Sequence, residues 1–210
     1  MKLNADFVER IKAYEKMGRR SSLAPTHWKD HPPSMFEYIK KVLPAPHVVV
    51  EVGCSHGRWS RMMLESFPSI ERFFGIDVWG PTGTSRCRGA DWKHDFVYLA
   101  TSWFDHVRPW LFEKAFPLPG DQRLWCDAFP VEVDMVFLDG NHSKEVVLND
   151  LHRWWPKIRS GGLVMGHDYY DEGPNIRVAC ENVVHAAREF FGVDGYEAHN
   201  EFRAFCKIKD

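Results

Sequence analysis

The 210-residue sequence has no apolar run long enough to cross a bilayer: segments such as Val48-Val49-Val50 fall far short of the roughly 20 residues required. Asp6, Glu9 and Arg10 occupy the stretch where a secretory signal would carry its apolar core. A soluble, cytoplasmic protein with no membrane partner is therefore expected. A surplus of either charge is also missing, since 27 Lys and Arg against 29 Asp and Glu leave a formal charge of −2. Proteins that grip phosphate backbones draw affinity from counterion release at a basic surface, so nucleic acid is not an expected partner. The five cysteines (Cys54, Cys87, Cys126, Cys180 and Cys206) are odd in number and dispersed, with no C-x-x-C pair. That usage suits small buried apolar groups in a reducing compartment better than a disulfide framework. No internal repeat or low-complexity segment interrupts the chain.

Apolar and aromatic residues are plentiful, at 44% and 14%. A chain of this size buries roughly 70% of its unfolded surface, which supports one real core and excludes intrinsic disorder. Nine tryptophans and eleven histidines exceed what a plain structural domain needs.

The periodicity alternates between helix and strand. Residues 5–17 and 34–42 have helical spacing, and Pro44 and Pro46 end the second, so residues 1–46 read as a helical N-terminal extension or lid on a main domain spanning 47–210. Strands are expected at 47–52, 73–78, 133–138, 163–165 and 202–208, the last alternating Phe202, Ala204, Cys206 and Ile208 with Glu201, Arg203 and Lys207. Helices are expected after Gly57 and at 93–115, 144–158 and 175–191, with a Gly/Pro/Ser/Arg loop at 80–92. This order predicts an α/β fold, a doubly wound and mostly parallel sheet. Ligands in such sheets sit beyond the carboxyl ends of the strands.

The first strand ends in Glu51-Val52-Gly53-Cys54-Ser55-His56-Gly57, where two glycines four apart let the backbone turn sharply ahead of a helix N-terminus. An ordinary tight turn reads the same way, and the G-x-G-x-x-G dinucleotide pattern is absent. Asp77 closes the second strand about twenty residues later, where a carboxylate can accept both ribose hydroxyls, although a loop or cap carboxylate is equally placed. Asp139, Asn141 and His142 come just after the 133–138 strand, and His167 and Asp168 just after the 163–165 strand. Neighbouring strands lie about 4.8 Å apart, so these side chains can converge on one hard cation, or simply cap the next helices. His142 has the type and place to take a proton near neutral pH.

These strand ends, with Gly75-Ile76-Asp77-Val78-Trp79 and Gly161-Gly162-Leu163-Val164-Met165-Gly166-His167-Asp168-Tyr169, resemble the successive motifs of class I S-adenosylmethionine-dependent methyltransferases. Within that superfamily they resemble methyltransferase family 24, which includes sugar O-methyltransferases, over residues 47–190. The resemblance implies a Rossmann-like seven-stranded sheet and S-adenosylmethionine as cofactor. It assigns Glu51, Gly53, Ser55, His56 and Gly57 to the turn holding the methionine part, Asp77 to the ribose and Trp79 to the adenine. Gly120-Asp121-Gln122 resembles the family's Gly-Asp-Ser element, which puts Asp121 near the adenine, with Gln122 in place of Ser. Asp139 matches the first carboxylate of the relatives' divalent-metal site and borders the cofactor; His167 and Asp168 fall where the relatives carry an acid or amide pair. Magnesium is the expected metal, and a histidine at that position would also admit manganese or another transition metal. His142 matches the catalytic base.

The implied reaction is metal-assisted O-methylation of a small molecule, sugar-like or otherwise carrying vicinal hydroxyls. Alternatives are a metal-independent N-, carboxyl- or peptide methyltransferase of the same fold, an inactive cofactor-binding relative and, for want of the third glycine, least of all an NAD oxidoreductase. A homodimer is a further expectation. Trp59, Trp110 and Trp154 are expected in the core, and Trp92 and Trp103 on the acceptor side.

Overall fold

The computed structural model describes residues 32–79, 95–129, 132–170 and 178–210. The expected helix at 5–17, together with Arg19, Arg20 and Trp28, lies outside the described residues, as does the 80–92 loop with Arg86, Cys87, Arg88 and Trp92. The helices are α1 (Pro33–Val42), α2 (Arg58–Ser66), α3 (Asp95–Val107), α4 (Gln122–Ala128), α5 (Lys144–Trp154) and α6 (Val178–Phe191). The strands are β1 (Val48–Val52), β2 (Arg72–Asp77), β3 (Ala115–Pro119), β4 (Val133–Leu138), β5 (Ile158–His167), β6 (Glu197–His199) and β7 (Ala204–Ile208).

The sheet order is β3-β2-β1-β4-β5-β7-β6. The first five strands run parallel, and β7 is antiparallel to both β5 and β6. β1 and β4 are buried along their whole length, as parallel strands covered on both faces must be. From β1 the chain moves outward through β2 and β3, whereas from β4 it moves the other way. The carboxyl ends of β1 and β4 therefore flank the switch point, where this architecture opens a crevice.

Side chains alternate between two layers. Val49, Met135, Phe137, Leu163 and Met165 face Met35, Ile39, Trp59, Met63 and Trp103 of α1, α2 and α3. Val50, Val136, Leu138 and Val164 face Leu151, Trp154, Val183 and Ala187 of α5 and α6. Trp59 stacks on Phe137 with centroids 4.1 Å apart, and its Nε1 donates to Met35 Sδ at 3.4 Å. That contact makes α1, the second helix of the expected extension, an integral part of the core.

Several expectations are corrected. The helix expected through 115 stops at Val107, because Pro109 has no amide hydrogen and forces a 3₁₀ turn at Arg108–Trp110. Ala115 then opens β3, a strand with prolines at 117 and 119 that is tolerated because it lies on the sheet edge. Pro156 likewise ends α5 at Trp154, short of the expected 158. β5 is longer than the expected 163–165 and carries a register shift against β4 beside Gly161-Gly162. The 202–208 strand begins only at Ala204, and Phe205 is as buried as its neighbours, so it is covered on both faces. Trp103 is fully buried, which moves it from the acceptor side into the core. Among the described residues no helix is long and apolar enough to cross a membrane.

Candidate active site

The turn after β1 reverses over a short span. Gly53 has φ +90° and Gly57 φ +86°, a region that residues with a Cβ enter at a cost, and the Gly57 amide donates to Cys54 O at 2.8 Å. A Cβ on Gly57 would meet Trp103 at 2.7 Å. Ser55, at φ +46°, donates its amide to Asp77 Oδ2 at 2.8 Å, and its hydroxyl lies 3.0 Å from His56 Nδ1. Asp77 thus ties the ends of β1 and β2 together, its Oδ1 also accepting the Trp79 amide at 2.9 Å. Burial raises the Asp77 carboxyl pKa, against the lowering effect of those N–H donors. The Trp79 indole folds back over the turn, donates to Ser55 O at 3.2 Å and packs on Trp103. Gly120, after β3, donates its amide to Asp77 O at 2.8 Å, so the turn leading into Asp121 starts beside the end of β2. Asp121 also caps α4 through the Arg123 amide and pairs with the Arg123 side chain, which holds its carboxyl below the usual range.

Glu51 lies under this turn. It is 2% exposed, accepts the Ser60 hydroxyl, and Ser60 in turn accepts Trp103 Nε1 at 2.8 Å. Burial pushes its carboxyl well above the usual range, and its hydrogen bond from Ser60 braces the turn from within.

Across the switch point, the Asp139 amide donates to Val52 O at 2.8 Å. Asn141 Oδ1 accepts the Ser143 amide at 2.8 Å, so Asn141 shapes the entry to α5. Four side chains expected at strand ends do come together. His142 Nε2 lies 3.4 Å from Asp139 Oδ1 and 3.7 Å from Asp168 Oδ2. His167 Nδ1 lies 3.2 Å from Asp139 Oδ1 and 3.7 Å from Asp168 Oδ1. His142 Nε2 is buried and without a hydrogen-bond partner. Among the described residues, no three His, Cys, Asp or Glu side chains stand in a ready-made metal-binding arrangement.

Two residues here escaped the sequence analysis. Arg203 pairs with Asp168 Oδ1 from the β6–β7 turn. Asp150, on the inward face of α5, lines a small cavity with Gly140, His142, Gly166 and His167. The Gln122 amide donates to it at 3.3 Å, yet burial pushes its carboxyl from 3.8 up to about 7. Between those pH values the folded protein keeps a proton that the unfolded chain releases, so stability is full below about pH 4 and falls as pH rises to 7. Asp150→Asn should abolish that fall: urea titrations are expected to show equal stability near pH 4 and a variant more stable by up to about 4 kcal/mol at pH 8.

A family profile for a methyltransferase domain, methyltransferase family 24, matches residues 50–169. The chain belongs to that family. The matched span runs from β1 through Tyr169 and takes in both the glycine turn and the Asp139–Asp168 cluster. Protein R132 of Acanthamoeba polyphaga mimivirus is 25% identical over 140 residues, which is 64% of this chain and 58% of that relative, so less than two thirds of the relative is spanned. The O-methyltransferase TomG of Streptomyces achromogenes, solved in complex with S-adenosylmethionine, aligns with TM-score 0.58 at 12% identity, covering 100% of this chain and 92% of that one. The calicheamicin-biosynthesis enzyme CalS11, a TDP-rhamnose 3′-O-methyltransferase, aligns with TM-score 0.53 at 16% identity, covering 99% and 96%. At those identities the likeness is one of fold: a Rossmann-like, mostly parallel sheet of seven strands.

Proposed function

We propose that this methyltransferase moves the methyl group of S-adenosylmethionine to a hydroxyl of a small molecule, sugar-like or otherwise carrying vicinal hydroxyls, with help from a divalent cation. The observation that carries this reading is the unpartnered, buried His142 Nε2 between Asp139 and Asp168, a base held away from water at the switch point. Small-molecule hydroxyls as acceptors agree with the activities named for TomG and CalS11.

The turn of Gly53, Ser55, His56 and Gly57 would receive the cofactor's methionine part against a helix N-terminus, and Asp77 its ribose, with Trp79 and Asp121 bordering the base. Asp139 Oδ1, Asp168 Oδ2 and His167 Nδ1 supply two carboxylates and an imidazole within 3.2–3.7 Å of one another or of His142, a donor set that suits magnesium and admits manganese. A cation held by these three residues would lower the pKa of an acceptor hydroxyl bound to it. His142 takes the hydroxyl proton on Nε2; the acceptor oxygen then bonds to the methyl carbon as the carbon–sulfur bond breaks and S-adenosylhomocysteine leaves. Position and orientation of the two reactants contribute the rest of the rate.

One observation favours a second reading, a metal-independent transfer. The Arg203 guanidinium already offsets Asp168, and no ready-made three-donor arrangement stands among the described residues. Chelation separates the two: release of S-adenosylhomocysteine with a vicinal-hydroxyl acceptor should stop in EDTA and return with magnesium or manganese. Activity indifferent to both would sink the metal-assisted reading. Under either reading His142→Ala is expected to lower kcat about 10²–10⁴-fold, the usual worth of a general base, with unchanged S-adenosylmethionine affinity by calorimetry.

A further inference from the structure

Asp168 is held in an unusual way. It has φ +56°, a left-handed conformation uncommon for a residue with a side chain, at the point where β5 ends. The strain is fixed from the neighbouring strand. Register pairs His167 with Ala204, so the start of β7 lies beside the end of β5, and Arg203 precedes it with φ +53°. The Tyr169 amide donates to Arg203 O at 3.0 Å, locking the two turns together. From that anchored backbone the Arg203 guanidinium donates through Nη2 to Asp168 Oδ1. The same nitrogen lies 3.9 Å from Cys180 Sγ on α6, which limits its swing. Both partners are partly sheltered, at 31% and 23% side-chain exposure, so solvent screens the pair only in part. Asp168 Oδ2 is left turned toward His142 Nε2.

We infer that Arg203 is a positioning residue: by holding Oδ1, it presents Asp168 through Oδ2 as a one-oxygen ligand and so sets the affinity of the site for a divalent cation. This rests on the metal-assisted reading. A carboxylate that binds a metal through one oxygen is free to rotate unless its other oxygen is held, and hydrogen-bond partners that hold ligands in this way typically change metal affinity 10–100-fold when removed. A planar guanidinium on an anchored backbone suits that task, and an ammonium on a flexible stem suits it less well.

The test is a titration of the 210-residue protein with Mn²⁺, monitored by electron paramagnetic resonance, for wild type, Arg203→Met and Arg203→Lys. Methionine keeps an unbranched stem and the backbone bond to Tyr169 while removing every donor. The expected result is Mn²⁺ binding about 10–100-fold weaker in Arg203→Met, with partial recovery in Arg203→Lys and unchanged thermal unfolding of the apoproteins. Equal affinity in wild type and Arg203→Met overturns the inference and leaves the metal-assisted reading standing. Tighter binding in Arg203→Met also overturns it, by showing that the arginine competes with the cation. If wild type takes up no Mn²⁺ at all, the metal-assisted reading itself is lost, and the inference with it.

Discussion

Asp139→Asn is expected to cut methyl transfer by about 10³-fold or more while S-adenosylmethionine still binds. The substitution is nearly isosteric and leaves the backbone in place: the Asp139 amide donates to Val52 O at 2.8 Å whatever the side chain. What is lost is charge. Asp139 Oδ1 is the atom that both imidazoles face, at 3.4 Å from His142 and 3.2 Å from His167, and Asp168 has one oxygen already committed to Arg203. Removing the Asp139 carboxylate charge therefore removes one of the two anions that flank the proposed base and would attract a divalent cation. Lewis-acid activation of a hydroxyl is worth several kcal/mol, and each 1.36 kcal/mol is tenfold in rate. Calorimetry with S-adenosylmethionine, beside a turnover assay on the same preparation, checks both halves. An Asp139→Asn enzyme with near-normal kcat would remove Asp139 from the chemistry, and one that no longer binds the cofactor would place its carboxylate in cofactor recognition.

Much of this site was legible because strand ends in a parallel sheet are where ligands go. β1 and β4 announce themselves as short apolar runs, Val48-Val49-Val50 and Val133 to Leu138, since central parallel strands are apolar on both faces. Gly53, just past β1, and Asp139 and His142, just past β4, meet at one crevice, and the end of β5 adds His167 and Asp168. Depth was harder to read. Glu51 sits beside the turn in sequence but under it in space, because strand alternation turns its side chain toward Ser60 and Trp103. Arg203 was hidden by its own pattern: alternation with Phe202 and Ala204 reads as a solvent-facing cation, yet its φ of +53° breaks the alternation and redirects the side chain to Asp168. Asp150 had a usable signal, since it lies three residues after Val147 and beside Leu151 on the inward stripe of α5, where a lone carboxylate is costly. β3 had none, because two prolines in five residues argue against a strand unless its edge position is known.

Gly53→Ala is expected to be the most disruptive single-methyl change in the site. At φ +90° an alanine meets a left-handed strain of roughly 1–2 kcal/mol. Its Cβ would also lie 2.2 Å from Asp139 O and 2.6 Å from Gly140 Cα. Both obstacles are backbone, so no side chain can swing aside. Relief requires parting the ends of β1 and β4, which the Asp139 amide holds together by donating to Val52 O at 2.8 Å. Strain plus parting amounts to several kcal/mol, a large share of the 5–15 kcal/mol that holds a domain folded. At about 2–4 °C per kcal/mol for a chain of this length, Tm should fall by roughly 10 °C, and whatever remains folded should lose both cofactor affinity and turnover. Gly192→Ala is the matched control. Its φ is +81°, but nothing lies within 4 Å of the added Cβ, so it meets the conformational strain alone. A loss at Gly53 no greater than at Gly192 would mean that the close crossing of β1 over Asp139 is dispensable. A larger loss would identify that crossing as what places the glycine turn and the Asp139 carboxylate against the same ligand.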